Sequence, residues 1–87
     1  MQFQFDPAKA QSNLRKHKVS FADAEGVFFD SQAIHIEDMD SAEERYVALG
    51  MCNIGQILVV IYTFRGEQIR LISARKATKH EVQSYAG

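Results

Sequence analysis

Gln56-Ile57-Leu58-Val59-Val60-Ile61-Tyr62-Thr63-Phe64 is the stretch that decides the fold class. It is almost wholly apolar and rich in β-branched and aromatic side chains, and the part from Ile57 to Phe64 is far too short to cross a bilayer as a helix. A strand of this kind is central in its sheet and covered on both faces, so helices or another layer must pack on at least one side. Upstream, Arg45 to Cys52 carries Tyr46, Val47, Leu49 and Met51, and Asn53-Ile54-Gly55 is short enough to close a hairpin onto the central strand. Downstream, Arg65-Gly66 turns the chain into a further strand, Glu67 to Arg75. Ala33 to Glu37 alternates as a strand, and the acidic stretch Asp38 to Glu44 reads as an exposed loop.

The helices are announced by their caps. Asp6-Pro7 offers an N-cap carboxylate followed by a proline at the first helical position, where a missing N–H costs least. That helix is predicted to run to about Lys16, with Ala8, Ala10 and Leu14 inward, Lys9, Arg15 and Lys16 toward solvent, and a break at His17-Lys18. Ser20, with Asp23 three residues on, caps a second helix whose apolar side is Phe21, Ala24, Val27 and Phe28. Thr78 and Glu81 form a capping box for a last helix, with Val82 and Tyr85 inward. Phe3 and Phe5 alternate with Gln2 and Gln4 as a short first strand. The order is strand, two helices, three or four antiparallel strands, helix. It predicts an α+β fold: an antiparallel sheet with helices packed against one face, forming a single domain over residues 1–87.

Charge is segregated although the formal net charge is only -1. Lys9, Arg15, Lys16 and Lys18 form a block without acids, Asp23 to Glu44 a block without bases, and Arg65, Arg70, Arg75, Lys76 and Lys79 a block with the single acid Glu67. If folding unites the two basic blocks, one face attracts phosphate and another repels it; a salt-bridged surface without a net patch would have the same letters. The N-terminus has no basic segment followed by a long apolar run, which predicts a cytoplasmic protein rather than a secreted one. Cys52 is the only cysteine, which leaves no internal disulfide and reads as a small core residue.

Several chemistries lack their residues. His17, His35 and His80 are scattered and Cys52 stands alone, so no metal site is expected. The glycines are isolated, which removes a phosphate loop and a nucleophile elbow, and no cofactor is expected. What remains suits phosphodiester cleavage of RNA, where the neighbouring 2′-hydroxyl attacks phosphorus once a base takes its proton and a cation meets the developing charge. His17, inside Arg15-Lys16-His17-Lys18, is the leading base, because neighbouring cations favour the form that accepts a proton. An ordinary histidine closing a helix C-terminus fits the same position. In the last strand, regular alternation places Ile69, Leu71, Ser73 and Arg75 on one face and Arg70, Ile72, Ala74 and Lys76 on the other. Arg75, near the strand end, is preferred for phosphate; Arg70 reads equally as a solvated edge charge, and Arg45 as a partner of Glu43 or Glu44.

Phe5-Asp6-Pro7-Ala8-Lys9-Ala10, Asn13-Leu14-x-Lys16-His17, Val19-Ser20-Phe21, Glu44-Arg45-x-Val47-x-Leu49-Gly50 and Ile72-Ser73-Ala74-Arg75-Lys76-Ala77-Thr78 occur in this order. Together they resemble the BrnT family of bacterial toxins, over about Phe3 to Tyr85. The resemblance implies a RelE-like fold and a metal-independent ribonuclease that stops translation. It also implies a cognate ribbon-helix-helix antitoxin, through which alone operator DNA is bound, and no membrane role. Carried over by position, it highlights His17, Arg45 and Arg75 as catalytic, with Lys76 adjacent; the basic residues Lys18, Arg65, Arg70 and Lys76 are read beside it as gripping the RNA backbone. The family commonly has glycine where this chain has Lys18, which bears on the loop beside His17. A noncatalytic module that keeps the toxin fold and the antitoxin interface is the alternative.

Overall fold

The structure, a computed structural model, describes residues 1–40 and 42–87. Five strands form one sheet in the order β1-β5-β4-β3-β2: β1 (Gln2–Gln4), β2 (Ile34–Asp38), β3 (Arg45–Met51), β4 (Ile57–Arg65) and β5 (Gln68–Lys76). The sheet is antiparallel except at its short first strand, where β1 runs parallel to β5. The apolar run that predicted a central strand is β4, with buried Leu58, Val59, Val60 and Tyr62.

Helix α1 (Pro7–His17) starts where Asp6 accepts a hydrogen bond from the Ala8 amide. Helix α2 (Phe21–Ala24) starts where Ser20 accepts one from the Asp23 amide, and it tightens into a 3-10 turn over Glu25–Phe29. Gly26 permits this layer to close on the β3–β4 turn, since a Cβ there would stand 2.6 Å from the Asn53 backbone nitrogen. These elements cover one sheet face, packing Val19, Phe21, Ala24 and Val27 on Ala48, Leu58, Val60, Tyr62, Leu71 and Ala74. Cys52 belongs to the same core.

Two expectations need refinement. Leu14 is 49% exposed, and the buried residue of α1 is Asn13, at 6%. Its side-chain amide donates to the carbonyls of Val19 (3.1 Å) and Ala74 (2.8 Å) and accepts from the Ala74 amide (3.0 Å). Because β1 pairs only with Gln68 to Arg70, the rest of that β5 edge has no strand partner among the described residues, and Asn13 supplies the missing donor and acceptor. The C-terminal helix α3 (Lys79–Ala86) is also set apart from the other helices. None of its residues joins the buried core; Glu81 reaches Arg75, which is paired with Val59 on the face away from α1 and α2, and Tyr85 donates to Asp30.

Lys18 ends α1 in the left-handed conformation, φ 60° and ψ 30°, with its amide donating to Leu14. The loop after His17 therefore has the backbone shape that glycine supplies without a Cβ penalty, held here by a lysine. Lys18→Gly is expected to raise stability by about 0.5–1 kcal/mol, read as a higher urea midpoint at unchanged slope. A lower midpoint would show that the lysine side chain itself holds the turn.

Candidate active site

The register between β4 and β5 changes the geometry that regular alternation predicts. Tyr62 pairs with Leu71 and Ile61 with Ser73, so Ile72 is an extra residue at a β-bulge. Beyond it the faces exchange. Ile69, Leu71 and Ala74 point into the core, while Arg70, Ser73 and Arg75, paired with Thr63, Ile61 and Val59, lie on the other face. The expectation that Arg70 and Arg75 lie on opposite faces is thereby corrected, because one inserted residue restores them to the same side.

A hollow of about 190 Å³ opens between α1 and this bulge, lined by Lys9, Ser12, Asn13, Lys16, His17, Ile72 and Ser73. The five α1 residues have the i, i+3, i+4, i+7, i+8 spacing of a single helix side. Lys9 and Lys16, exposed as the helix pattern predicts, line this hollow together with the half-buried His17. Asn13 fixes the distance of α1 from β5 through its bonds to Ala74, one residue from Ser73.

The remaining cations are spread over the sheet. Arg45 on β3 is level with Thr63 on β4, which pairs with Arg70 on β5; Arg45, Thr63 and Arg70 form a row on the face away from the core. Arg70 donates to Gln4 at 2.9 Å. Arg45 approaches Glu43 at 4.0 Å, and its buried Nε has no hydrogen-bond partner among the described residues. Arg65 ends β4 on that same face, paired with Gln68. Lys76 pairs with Leu58 on the opposite face and is exposed, as is Lys18 beyond the helix end. Tyr46 and Tyr62 stack on each other on the helix-covered side, and the Tyr62 hydroxyl is 2.9 Å from Nδ1 of His35. Among the described residues, no three His, Cys, Asp or Glu side chains are grouped to hold a metal.

Arg75 is committed to Glu81 through a two-pronged pair, Nη1 to Oε1 at 2.8 Å and Nη2 to Oε2 at 2.9 Å. The same carboxylate accepts from the Thr78 amide at 2.8 Å, so the pair joins β5 to the capped start of α3. The bond to Arg75, then that to the Thr78 amide, holds the Glu81 carboxyl down at about 2. A carboxyl depressed on folding stabilises above its ordinary value of 4.5, and this contribution is lost as pH falls from there through about 2. In an acid titration followed by NMR, the Glu81 side chain and the α3 amides are expected to shift together near pH 2, and Arg75→Met to move that midpoint upward. A Glu81 midpoint near 4.5 in the parent would show that the pair does not form in solution.

Lys9, Ser12, Lys16 and Ser73 were not singled out as site residues by the sequence reading. The signal for Lys9, Ser12 and Lys16 was the polar stripe that shares one helix side with His17, obscured because polar helix residues are ordinarily solvated; Ser73 on β5 had no such signal.

The family described as "Ribonuclease toxin, BrnT, of type II toxin-antitoxin system" matches residues 5–81. The crystal structure of the Brucella abortus ribonuclease toxin BrnT superposes with a TM-score of 0.70 and 32% sequence identity, over 91% of this chain and 99% of that one. No match is found among curated proteins. With the match to the family spanning most of its length and the RelE-like arrangement of sheet and helices described above, this chain belongs to the BrnT family of type II toxin–antitoxin toxins.

Proposed function

We propose that this chain, acting as a single domain in the cytoplasm, is the ribonuclease toxin of a type II pair. It cleaves RNA without a metal, inhibits translation, and is silenced by a cognate ribbon-helix-helix antitoxin that alone contacts operator DNA. The observation that carries this reading is the hollow beside the β5 bulge, where His17 stands with Lys9, Lys16 and two serines in a chain of a ribonuclease toxin family.

In the proposed reaction His17 takes the 2′-hydroxyl proton, the freed oxygen attacks the adjacent phosphorus, and the bond from phosphorus to the 5′ oxygen breaks. Lys16, its neighbour on the rim of the hollow, meets the charge that builds on the phosphorane, and Ser73 donates to a phosphate oxygen. A lysine ammonium of the hollow protonates the departing 5′ oxygen. Lys9 is eight residues before His17, about 12 Å along the helix, and holds a flanking stretch of backbone. Arg70 and Arg45 lie two strands apart, about 9.6 Å, and with Arg65 continue a cationic track over the neighbouring sheet face. Lys18, past the end of α1, and Lys76, on the opposite sheet face, supply separate backbone contacts. Arg75, with two donors and its charge engaged by Glu81, acts as a positioning residue for the end of β5 more than as a phosphate ligand.

The test is cleavage of end-labelled RNA by purified protein in excess chelator, with His17→Ala prepared identically. New ends carrying 2′,3′-cyclic phosphate, made by the parent alone, are the expected result. RNA left intact by the parent, on and off the ribosome, would refute the enzymatic reading.

A further inference from the structure

At the far edge of the sheet from the proposed cleavage site, β2 is left open. It is the last strand in the order, its inner side pairs with β3 in unbroken register, and no strand among the described residues pairs with its outer side. Edge strands are ordinarily protected by charged side chains, proline or a bulge; here the register is unbroken and the charges, Glu37 and Asp38, sit at one end, leaving Ile34-His35-Ile36 without such protection. Its apolar side chains are uncovered, with Ile34 40% exposed and Ile36 58%, and Met39 just beyond is 81% exposed. At this end the strand runs into a hollow of about 180 Å³ walled by carboxylates, Glu37 and Asp38 among them.

We propose that this edge takes up, as a sixth strand, an extended basic and apolar segment of the antitoxin. The inference rests on the toxin reading and names the surface and the chemistry by which the partner is held. Backbone pairing along β2 supplies affinity, while alternate side chains of the added strand contact Ile34 and Ile36. A lysine or arginine where that strand passes Glu37, Asp38 and Asp40 finds the opposite charge. Charge also decides the occupant. RNA is repelled by the carboxylates at this end of the strand, and a second copy pairing through the same edge would offer them no lysine or arginine, since Ile34–Asp38 carries none.

The experiment uses the parent toxin and the antitoxin encoded with it, with affinity measured at two salt concentrations and amide exchange followed by NMR. The expected result is slowed exchange of outward β2 amides in the complex, weaker binding at high salt, and an affinity loss of about tenfold or more for Ile36→Lys/Asp40→Lys. Glu37→Lys/Asp40→Lys changes only exposed charges and guards against misfolding of the first variant; both are expected to keep RNA cleavage. If the parent binds antitoxin tightly and both variants bind equally well, the surface is wrong while the toxin reading stands. If the parent binds no antitoxin, or pairs with itself through β2, the partner reading fails and this proposal with it.

Discussion

His17→Ala is expected to lower RNA cleavage by about 10²–10⁴-fold, the range that a positioned general base contributes. The side chain is half-buried at the rim of the hollow and sits outside the apolar core, so its truncation leaves the packing of α1 on β5 in place. The comparison that isolates the chemistry is a set of matched preparations, His17→Ala, Lys16→Ala and Lys9→Ala, assayed on one RNA with unfolding midpoints measured beside them. Lys16→Ala removes charge next to the reacting phosphate and is expected to depress the maximal rate. Lys9→Ala acts on a flanking contact and is expected to raise the RNA concentration for half-maximal rate instead. Cleavage by His17→Ala at the parental rate would move the base elsewhere and dissolve the role of the hollow.

The largest loss of stability is expected from Asn13→Ala, about 3–5 kcal/mol, because truncation orphans the Ala74 amide and the carbonyls of Ala74 and Val19 together. A small domain has only about 5–15 kcal/mol in all, so the variant lies near the edge of folding at room temperature. Asn13→Asp keeps the shape and the acceptor but turns two donated bonds into oxygen facing oxygen, and is expected to cost as much at neutral pH. Urea unfolding of the three proteins decides the matter; a shift below about 1 kcal/mol for Asn13→Ala would mean that water replaces the amide at the open edge of β5. Since the same bonds set α1 against the bulge, RNA cleavage by Asn13→Ala is expected to fall even under conditions where the protein remains folded.

The elements and their order were legible because their determinants are local. Asp6-Pro7, Ser20 and Thr78 with Glu81 each satisfy the first amides of the helix that follows, a requirement fixed within four residues of chain. The composition of β4 identified a central strand by the same logic, since that density of apolar side chains is stable only under cover. His17 was found from its neighbours in sequence. That the solvent-facing Lys9 and Lys16 also line a hollow with it was hidden, because which side of α1 borders β5 depends on how the helix packs.

Three features were decided only by tertiary structure. The bulge at Ile72 arises from the fit of β5 to β4, and a single unpaired residue reverses every side chain beyond it, so no alternation count along β5 alone could have placed Arg70 with Arg75. The pairing of Arg75 with Glu81 requires the chain to turn back from strand to helix and brings together two motifs that read separately as a phosphate ligand and a cap. Asn13 became structural because β1 is three residues long and leaves the rest of a β5 edge open. The sequence by itself determined which segments are helices and strands, through caps, turns and apolar spacing that act over a few residues. Which faces meet, and so which cations gather around His17, was settled by strand register and by edges that need partners, quantities that exist only between segments distant along the chain.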